Sequence, residues 1–105
     1  MRRGDVFRLR LRKGSGHEQQ GARYGVIIQS DALLHLSTVL VAPTSTAARA
    51  ATFRPEIEID GTATRVLVEQ AGAVDISRLG DLHGHLTPEE QWGVDLALAT
   101  VLGLQ

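Results

Sequence analysis

The chain has 105 residues, a formal net charge of −1 and no cysteine. Because a domain takes roughly 100–200 residues, we expect one domain over 1–105. The lack of cysteine excludes disulfides, thiolate metal ligands and thiol nucleophiles. No apolar run approaches the roughly 18 residues of a membrane span, and the N-terminal MRRGDVF lacks an apolar signal core. We therefore expect a cytoplasmic protein that does not contact membranes.

Positive charge is concentrated at the N-terminus. Residues 1–23 contain seven basic and two acidic side chains, whereas residues 24–105 contain four and ten. A basic N-terminal quarter is suited to the phosphate backbone of a nucleic acid. A solvated strand face would have the same composition, so the charge alone leaves both interpretations open.

The first half of the chain predicts three strands. Residues 6–13 (VFRLRLRK) alternate apolar and basic side chains, as in a half-buried strand with a basic outer face. After a glycine-rich loop, the apolar and β-branched run 24–30 predicts a buried strand. Residues 31–36 predict a turn or two of helix, and 38–43 predict a buried strand that ends at Pro43.

The second half predicts a hairpin and a further strand. Acidic residues and isoleucine alternate in 53–60, an Asp-Gly turn follows, and 63–70 is the expected partner strand with Glu69 near its end. Residues 74–86 predict a turn or helical piece and then a strand around 79–86. Five or six short strands before one terminal helix predict a mainly β (α+β) fold, a small antiparallel barrel closed by that helix.

The terminal helix over 88–102 has the clearest signals. Thr87 is the expected N-cap, Pro88 takes the first helical position, and Glu90 completes a capping box. Gly103 is expected to end the helix.

Apolar side chains cover more of this helix than one core contact requires. We expect Trp92 to pack in the core as part of a stripe with Leu96, Ala99 and Leu102. Three further apolar residues lie beside that stripe: Val94, Leu98 and Val101. An apolar surface this wide indicates a second partner, and a closed two-fold dimer is the commonest way to cover it. We therefore expect a homodimer that uses part of this helix or the strand edges beside it.

The polar segment GSGHEQQGAR (14–23) is the first candidate site. Its glycines allow backbone N–H groups to approach an anion, and His17 beside Glu18 has the chemistry of a proton-transfer pair. An exposed loop histidine is the alternative. Arg23 stands at the entry to a buried strand, where it needs a partner. Its planar fork suits a phosphate, while an ion pair to Glu18 or Glu69 is the alternative.

Two further histidines, His83 and His85, alternate on the predicted last strand and would share a face. No acidic ligand pattern accompanies them, so we predict no metal site and no cofactor.

Together these segments resemble the MazF/PemK (Kid) family of toxin ribonucleases. The matching segments follow the family's order along nearly the whole chain: RRGDVF (2–7), GHEQQGAR (16–23), VIIQSD (26–31), TVLVAPTS (38–45), VLVEQ (66–70), VDISRLG (74–80) and LTPEEQWGVDLALATVLGL (86–104).

The resemblance implies an SH3-like barrel with a C-terminal α-helix, of the plasmid-maintenance-toxin type. It implies a homodimer that cuts single-stranded RNA without metal, through attack by the 2′-OH, giving a 2′,3′-cyclic phosphate and a 5′-OH. It also implies a cognate antitoxin partner whose acidic, flexible tail occupies the RNA groove.

The resemblance also implies the site residues. Arg23 matches the arginine after the glycine-rich loop, Ser45 a catalytic hydroxyl, His17 the loop histidine of the PemK branch, and Glu69 the carboxylate. Arg23 would stabilise the phosphorane, Ser45 would donate to a phosphate oxygen, and Glu69 or His17 would move the protons, with base and acid left open. The RNA contacts that we expect come from the flanking segments: Gln19, Gln20, Arg12, Lys13, Thr44 and Thr46.

Three positions depart from the family pattern. Tyr24 replaces the proline that usually follows the arginine, and Leu67 and Gly72 replace arginines. The two missing cations are the reason for an alternative, a member that binds RNA or antitoxin but cuts poorly, while the active nuclease is our leading prediction. A toxin of the same fold that poisons a protein such as gyrase is a further alternative. Those relatives use a tryptophan near the C-terminus, whereas Trp92 lies inside the helix.

Overall fold

A computed structural model describes residues 1–10 and 23–104. Within these ranges the chain forms seven strands and one α-helix: β1 (Asp5–Leu9), β2 (Arg23–Ile27), β3 (Thr38–Ser45), β4 (Glu56–Ile59), β5 (Thr62–Val66), β6 (Gly72–Asp75), β7 (Leu79–His85) and α1 (Pro88–Leu102). Three short 3₁₀ turns connect them: Asp31–Leu33, Val68–Gln70 and Ile76–Arg78. None of the helices in these ranges is long and apolar enough to cross a membrane.

The strands pair antiparallel in one sheet. Their order is β4-β5-β3-β2-β1-β7, so β4 and β7 are the outer strands of this path. β3 changes neighbour along its length, because its first half pairs with β6 and its last two residues pair with β5. Pro43 lies between the two pairings, where its carbonyl accepts the Leu67 N–H at 2.8 Å. A residue without an N–H is tolerated at such a change of partner, so the prediction that this strand ends at Pro43 is wrong.

The sheet separates two apolar clusters. The larger one lies between the sheet and α1: Val6, Val26, Ala42, Ile57, Ile59, Val66, Val68, Leu86, Val94 and Ala97. The smaller one contains Ile27, Val39 and Val41. Neighbours along β2 and β3 belong to different clusters because side chains alternate across a strand. Residues that are two or four positions from Ile27 along β2, or from Val41 along β3, therefore lie on the same face of the sheet as the smaller cluster.

Both ends of α1 are as predicted. The Thr87 hydroxyl accepts the Glu90 N–H at 3.1 Å, and a Glu90 carboxylate oxygen accepts the Thr87 N–H at 2.9 Å. This is the complete capping box. At the other end Gly103 adopts φ 68°, the left-handed conformation that glycine accommodates at helix ends.

The buried face of α1 differs from the predicted one. Val94 and Ala97 are 0% and 1% exposed, whereas Trp92 is 66% and Leu102 is 62% exposed. The expectation that Trp92 packs in the core is therefore wrong. Both stripes of the helix are apolar, so helical periodicity could not decide which one the sheet covers.

Polar contacts join the two ends of the sheet and curl it into a half-barrel. At the β4–β5 turn, Asp60 and Gly61 have φ of 51° and 77°, as the predicted hairpin requires. The Asp60 carboxylate is hydrogen-bonded to His83 of β7. On β4, the Glu58 N–H donates to Glu90 of α1 at 2.8 Å. The predicted fold class, an antiparallel barrel-type sheet with one C-terminal helix, is confirmed.

His83 and His85 do not form a common site. His83 is bonded to Asp60, whereas His85 Nδ1 lies 2.7 Å from an Asp5 carboxylate oxygen. The β1–β7 register shifts in this region, which breaks the alternation that placed both histidines on one face. Within residues 1–10 and 23–104, no group of three or more potential ligands (His, Cys, Asp or Glu) could hold a metal ion.

The connection from β5 to β7 differs from the prediction in two places. The predicted strand 63–70 ends at Val66, and Glu69 lies in the 3₁₀ turn Val68–Gln70. Residues Gly72–Asp75 form β6, where the sequence predicted the start of a turn or helical piece. This piece is confined to Ile76–Arg78. The turn at Glu69 carries the chain from the β5 pairing on β3 to the β6 pairing on the same strand.

Candidate active site

Strand pairing and the alternation of side chains place Arg23, Ser45 and Arg65 on one face of the sheet, and we name these three residues the arginine–serine row. Ser45 at the end of β3 pairs directly with Arg65 of β5. On the other side of β3, the pairing with β2 runs from Ile27↔Val41 to Gly25↔Pro43, so Arg23 and Ser45 each stand two residues beyond its last pair. Residues opposite each other on paired strands share a face. The row therefore lies on the face of the smaller apolar cluster.

The Ser45 hydroxyl is positioned by its own loop. Its oxygen accepts the Ala47 N–H at 3.2 Å, and its hydrogen can donate to a second group. The two neighbouring threonines differ. Thr44 is 5% exposed and its hydroxyl donates to the Tyr24 carbonyl at 3.3 Å, whereas Thr46 is exposed. Thr46 is therefore the threonine of this pair whose side chain an RNA strand can reach.

Glu69 is held by an arginine that the sequence analysis did not single out. Arg54 donates from Nε and Nη2 to Glu69 Oε2, at 2.9 Å and 2.6 Å. These hydrogen bonds hold the pKa of Glu69 below its ordinary value, and they outweigh the effect of its partial burial. Glu69 is therefore a carboxylate at neutral pH. The other oxygen, Oε1, is buried without a hydrogen-bond partner within residues 1–10 and 23–104.

Arg54 is fixed by further contacts. Its Nη1 donates to the Arg49 carbonyl at 3.3 Å, and its guanidinium lies 5.5 Å from the centre of the Phe53 ring. The Arg54 carbonyl accepts Nη1 of Arg65 at 2.8 Å, which ties it to the arginine–serine row. No family motif contains Arg54, and it is 15 residues from Glu69 in sequence. One feature of the sequence could have indicated Arg54: it is a charged residue between Phe53 and Pro55, at the start of a predicted strand.

The three family departures have distinct surroundings. Leu67 is 6% exposed, so an apolar side chain is enclosed where the family resemblance implies an arginine. Gly72 is exposed, and no atom lies within 4 Å of where its side chain would begin. Tyr24 packs on the larger cluster and its ring centre lies 4.8 Å from that of His83. The tyrosine therefore belongs to the opposite face of the sheet from Arg23.

Five predicted site residues lie outside the described residues: Arg12, Lys13, His17, Gln19 and Gln20. The chain on either side of them is anchored in the sheet. The Arg10 N–H donates to the Arg78 carbonyl at 2.8 Å, and Arg23 pairs with Leu9. The segment that carries these five residues therefore starts and ends next to the arginine–serine row.

Comparisons with known proteins identify close relatives. A family model described as "PemK-like, MazF-like toxin of type II toxin-antitoxin system" matches residues 2–102. Rv3098A of Mycobacterium tuberculosis, a protein named as a candidate toxin, is 43% identical over 104 residues, which is 97% of each chain.

Solved structures share the fold over the full length. A mycobacterial endoribonuclease in complex with its cognate antitoxin has a TM-score of 0.82 and 25% identity, over 100% of this chain and 97% of that chain. A chain of the MazE-MazF complex (Form-II) from Deinococcus radiodurans has a TM-score of 0.81 and 20% identity, with the same coverage. The second likeness is one of fold.

Proposed function

Because the chain belongs to the PemK-like, MazF-like family of toxins of type II toxin–antitoxin systems, we propose that it is a sequence-selective endoribonuclease that cuts single-stranded RNA without a metal ion. The proposal is supported by the arginine–serine row, which has a cation and a hydroxyl donor on one face of the sheet, and by Glu69, whose partner Arg54 contacts Arg65 of that row. A structural neighbour named as an endoribonuclease supports it. One domain over 1–105 carries the activity.

The reaction uses the substrate's own 2′-OH as the nucleophile. Arg23 stabilises the charge that develops on the phosphorane, and the Ser45 hydroxyl donates to a phosphate oxygen. A base and an acid move the two protons, and His17 and Glu69 are the candidates for these roles. The 2′-OH attack breaks the bond to the 5′ oxygen, so the products are a 2′,3′-cyclic phosphate and a 5′-OH.

RNA is bound along the segments that flank the row. Arg12 and Lys13 neutralise phosphates, and Gln19 and Gln20 contact base edges, which single-stranded RNA exposes. Thr46 adds a contact beside Ser45. Thr44 is a poorer candidate, because its hydroxyl already donates to Tyr24.

Two protein partners are part of the proposal. A cognate antitoxin with an acidic, flexible tail competes with RNA for the same basic surface, and the mycobacterial neighbour is named as a complex with its antitoxin. A second copy of the chain covers the exposed apolar side of α1, where Trp92 and Leu102 are more than half exposed. The toxin acts in the cytoplasm, where its RNA substrate is found.

Incubation of purified protein with a long unstructured RNA in EDTA tests the proposal. We expect cuts at one short sequence, and a loss of roughly 10²–10³ in rate for Arg23→Ala, the usual effect of removing one transition-state donor. Arg2→Ala is the control, because it removes an exposed arginine whose ion-pair partner is Asp5. Intact RNA with the wild type, or equal rates for wild type and Arg23→Ala, would refute the nuclease.

Leu67 and Gly72 support a second candidate, a member that binds RNA or antitoxin but does not cut. Its signature is RNA binding that weakens steeply with salt, without cleavage. Induction of the protein in cells, followed by sequencing of RNA 5′ ends, separates the two and gives the cut site. A gyrase-type poison would instead damage DNA, and its toxicity would persist in Arg23→Ala.

A further inference from the structure

We infer that Arg54, held in place by Glu69, is a second phosphate-binding cation of this active site, and that Glu69 acts by positioning Arg54. The inference rests on the proposed function, which it deepens. It starts from the charge that a phosphorane must have stabilised, since Leu67 and Gly72 are uncharged at two positions where the family resemblance implies arginines.

The described contacts of Arg54 do not use all the N–H donors of its guanidinium. An arginine carries five N–H donors in a rigid fork. The described contacts of Arg54 use three of them, two to Glu69 and one to the Arg49 carbonyl. One N–H on each terminal nitrogen therefore remains for an anion. The side chain is 24% exposed, so part of it faces solvent.

Two contacts connect Arg54 to Ser45. Arg65 pairs with Ser45 across the β3–β5 ladder, and Nη1 of the same Arg65 donates to the Arg54 carbonyl at 2.8 Å. The backbone of Arg54 thus contacts the arginine–serine row directly. Arg54, which precedes β4, carries a positive charge that neither Leu67 nor Gly72 can supply.

The geometry of Glu69 favours positioning over proton transfer. One carboxylate oxygen accepts both Arg54 donors, and the other is enclosed. A base must come within hydrogen-bond reach of the 2′-OH, whereas Oε2 already accepts two hydrogen bonds and Oε1 is buried. Two donors that converge on the one oxygen Oε2 instead fix the direction of the guanidinium. The lowered pKa of Glu69, caused mainly by Arg54, also makes it a weaker base.

A double-mutant cycle on cleavage rate tests the inference. The variants are Arg54→Gln, Glu69→Gln and the double variant, with Arg54→Lys as a conservative replacement. Arg3→Gln is a matched control, because Arg3 is 26% exposed, forms a 2.8 Å ion pair with Asp95 and donates to a backbone carbonyl, yet contacts none of the site residues that lie within 1–10 and 23–104. Single-turnover rates at saturating RNA separate the chemical step from binding, and melting curves show that each variant is folded.

We expect Arg54→Gln to lose about 10²-fold in the single-turnover rate, Arg54→Lys to recover part of it, and Arg3→Gln to stay near the wild type. The double variant should be no slower than Arg54→Gln, because Glu69 acts through Arg54. Equal rates for Arg54→Gln and Arg3→Gln would overturn the role of Arg54. Losses that multiply in the double variant would overturn the positioning role of Glu69 and make it an independent base.

Binding to 2′-O-methyl RNA, which lacks the nucleophile, tests Arg54 apart from the nuclease proposal. Each phosphate contact contributes about 0.7 to the slope of log affinity against log salt for single strands. Arg54→Gln should reduce the slope by about that amount, and Arg3→Gln should not. If the wild type fails to cut, the nuclease proposal falls, while an unchanged slope in Arg54→Gln overturns this inference.

Discussion

The side of α1 that faces the sheet can be tested with one chemical change at two positions. Val94 is 0% exposed within the larger cluster, and Val101 on the same helix is 38% exposed. Val→Ala deletes two methyl groups, or about 1.6 kcal/mol of transfer free energy when fully buried, and a cavity adds about 1 kcal/mol. Because alanine has a higher helix propensity than valine, each substitution also regains about 0.5 kcal/mol of unfolding free energy.

Val94→Ala should therefore lose about 2 kcal/mol of unfolding free energy, and Val101→Ala about 0.5 kcal/mol or less. At about 2.1 cal/mol/K of unfolding entropy per residue, the Val94→Ala loss lowers Tm by about 9 °C in a chain of this length. Urea and thermal unfolding of both variants at several protein concentrations make the measurement. Equal losses, or a larger loss for Val101→Ala that does not vary with concentration, would refute the assigned face.

Two further predictions follow from the exposed stripe and from the Glu69 contact. Trp92→Ser should convert the proposed dimer to a monomer in sedimentation equilibrium at micromolar concentration, with Leu33→Ser, also an exposed apolar residue but in the Asp31–Leu33 turn, as the control; a wild-type monomer would contradict it. Glu69 has a lowered pKa in the folded protein, so its stabilisation is complete above its unfolded pKa of about 4.3 and disappears as pH falls through the lower folded value. The difference in unfolding free energy between wild type and Glu69→Gln should therefore shrink below about pH 4.3, and a difference that stays constant to pH 2 would show that the charge contributes nothing.

Local patterns in the sequence were enough to predict most of the elements. The alternation in β1, the Asp60-Gly61 turn and the Thr87–Glu90 capping box each depend on residues close together in the chain. Each of these features is present in the structure. The prediction was wrong where a choice depended on the rest of the fold. The two apolar stripes of α1 are alike in sequence, and the sheet selects the one with Val94.

The candidate site was predictable in part for the same reason. Arg23, Ser45 and Glu69 were predicted from family motifs, and the alternation along β2 and β3 places Arg23 and Ser45 on the same face of the sheet. Arg54 could not be found this way, because its partner Glu69 is 15 residues away and lies in a turn that the sequence assigned to a strand. Pairing between a loop arginine and a turn carboxylate depends on backbone paths that periodicity does not describe.

The pairing of the first strand with the last has a consequence for the order of folding. Leu9 pairs with Leu79 and Asp5 with His85, so these partners are 70 and 80 residues apart. Long-range pairing of this kind slows folding, because the chain loses the conformational entropy of closing a long loop before the stabilising contacts form. The larger cluster also needs Val94 and Ala97, near the end of the chain. A chain that ends before β7 therefore cannot pair β1 with it, a chain that ends before α1 cannot complete the larger cluster, and the full fold forms only after α1 has been synthesised.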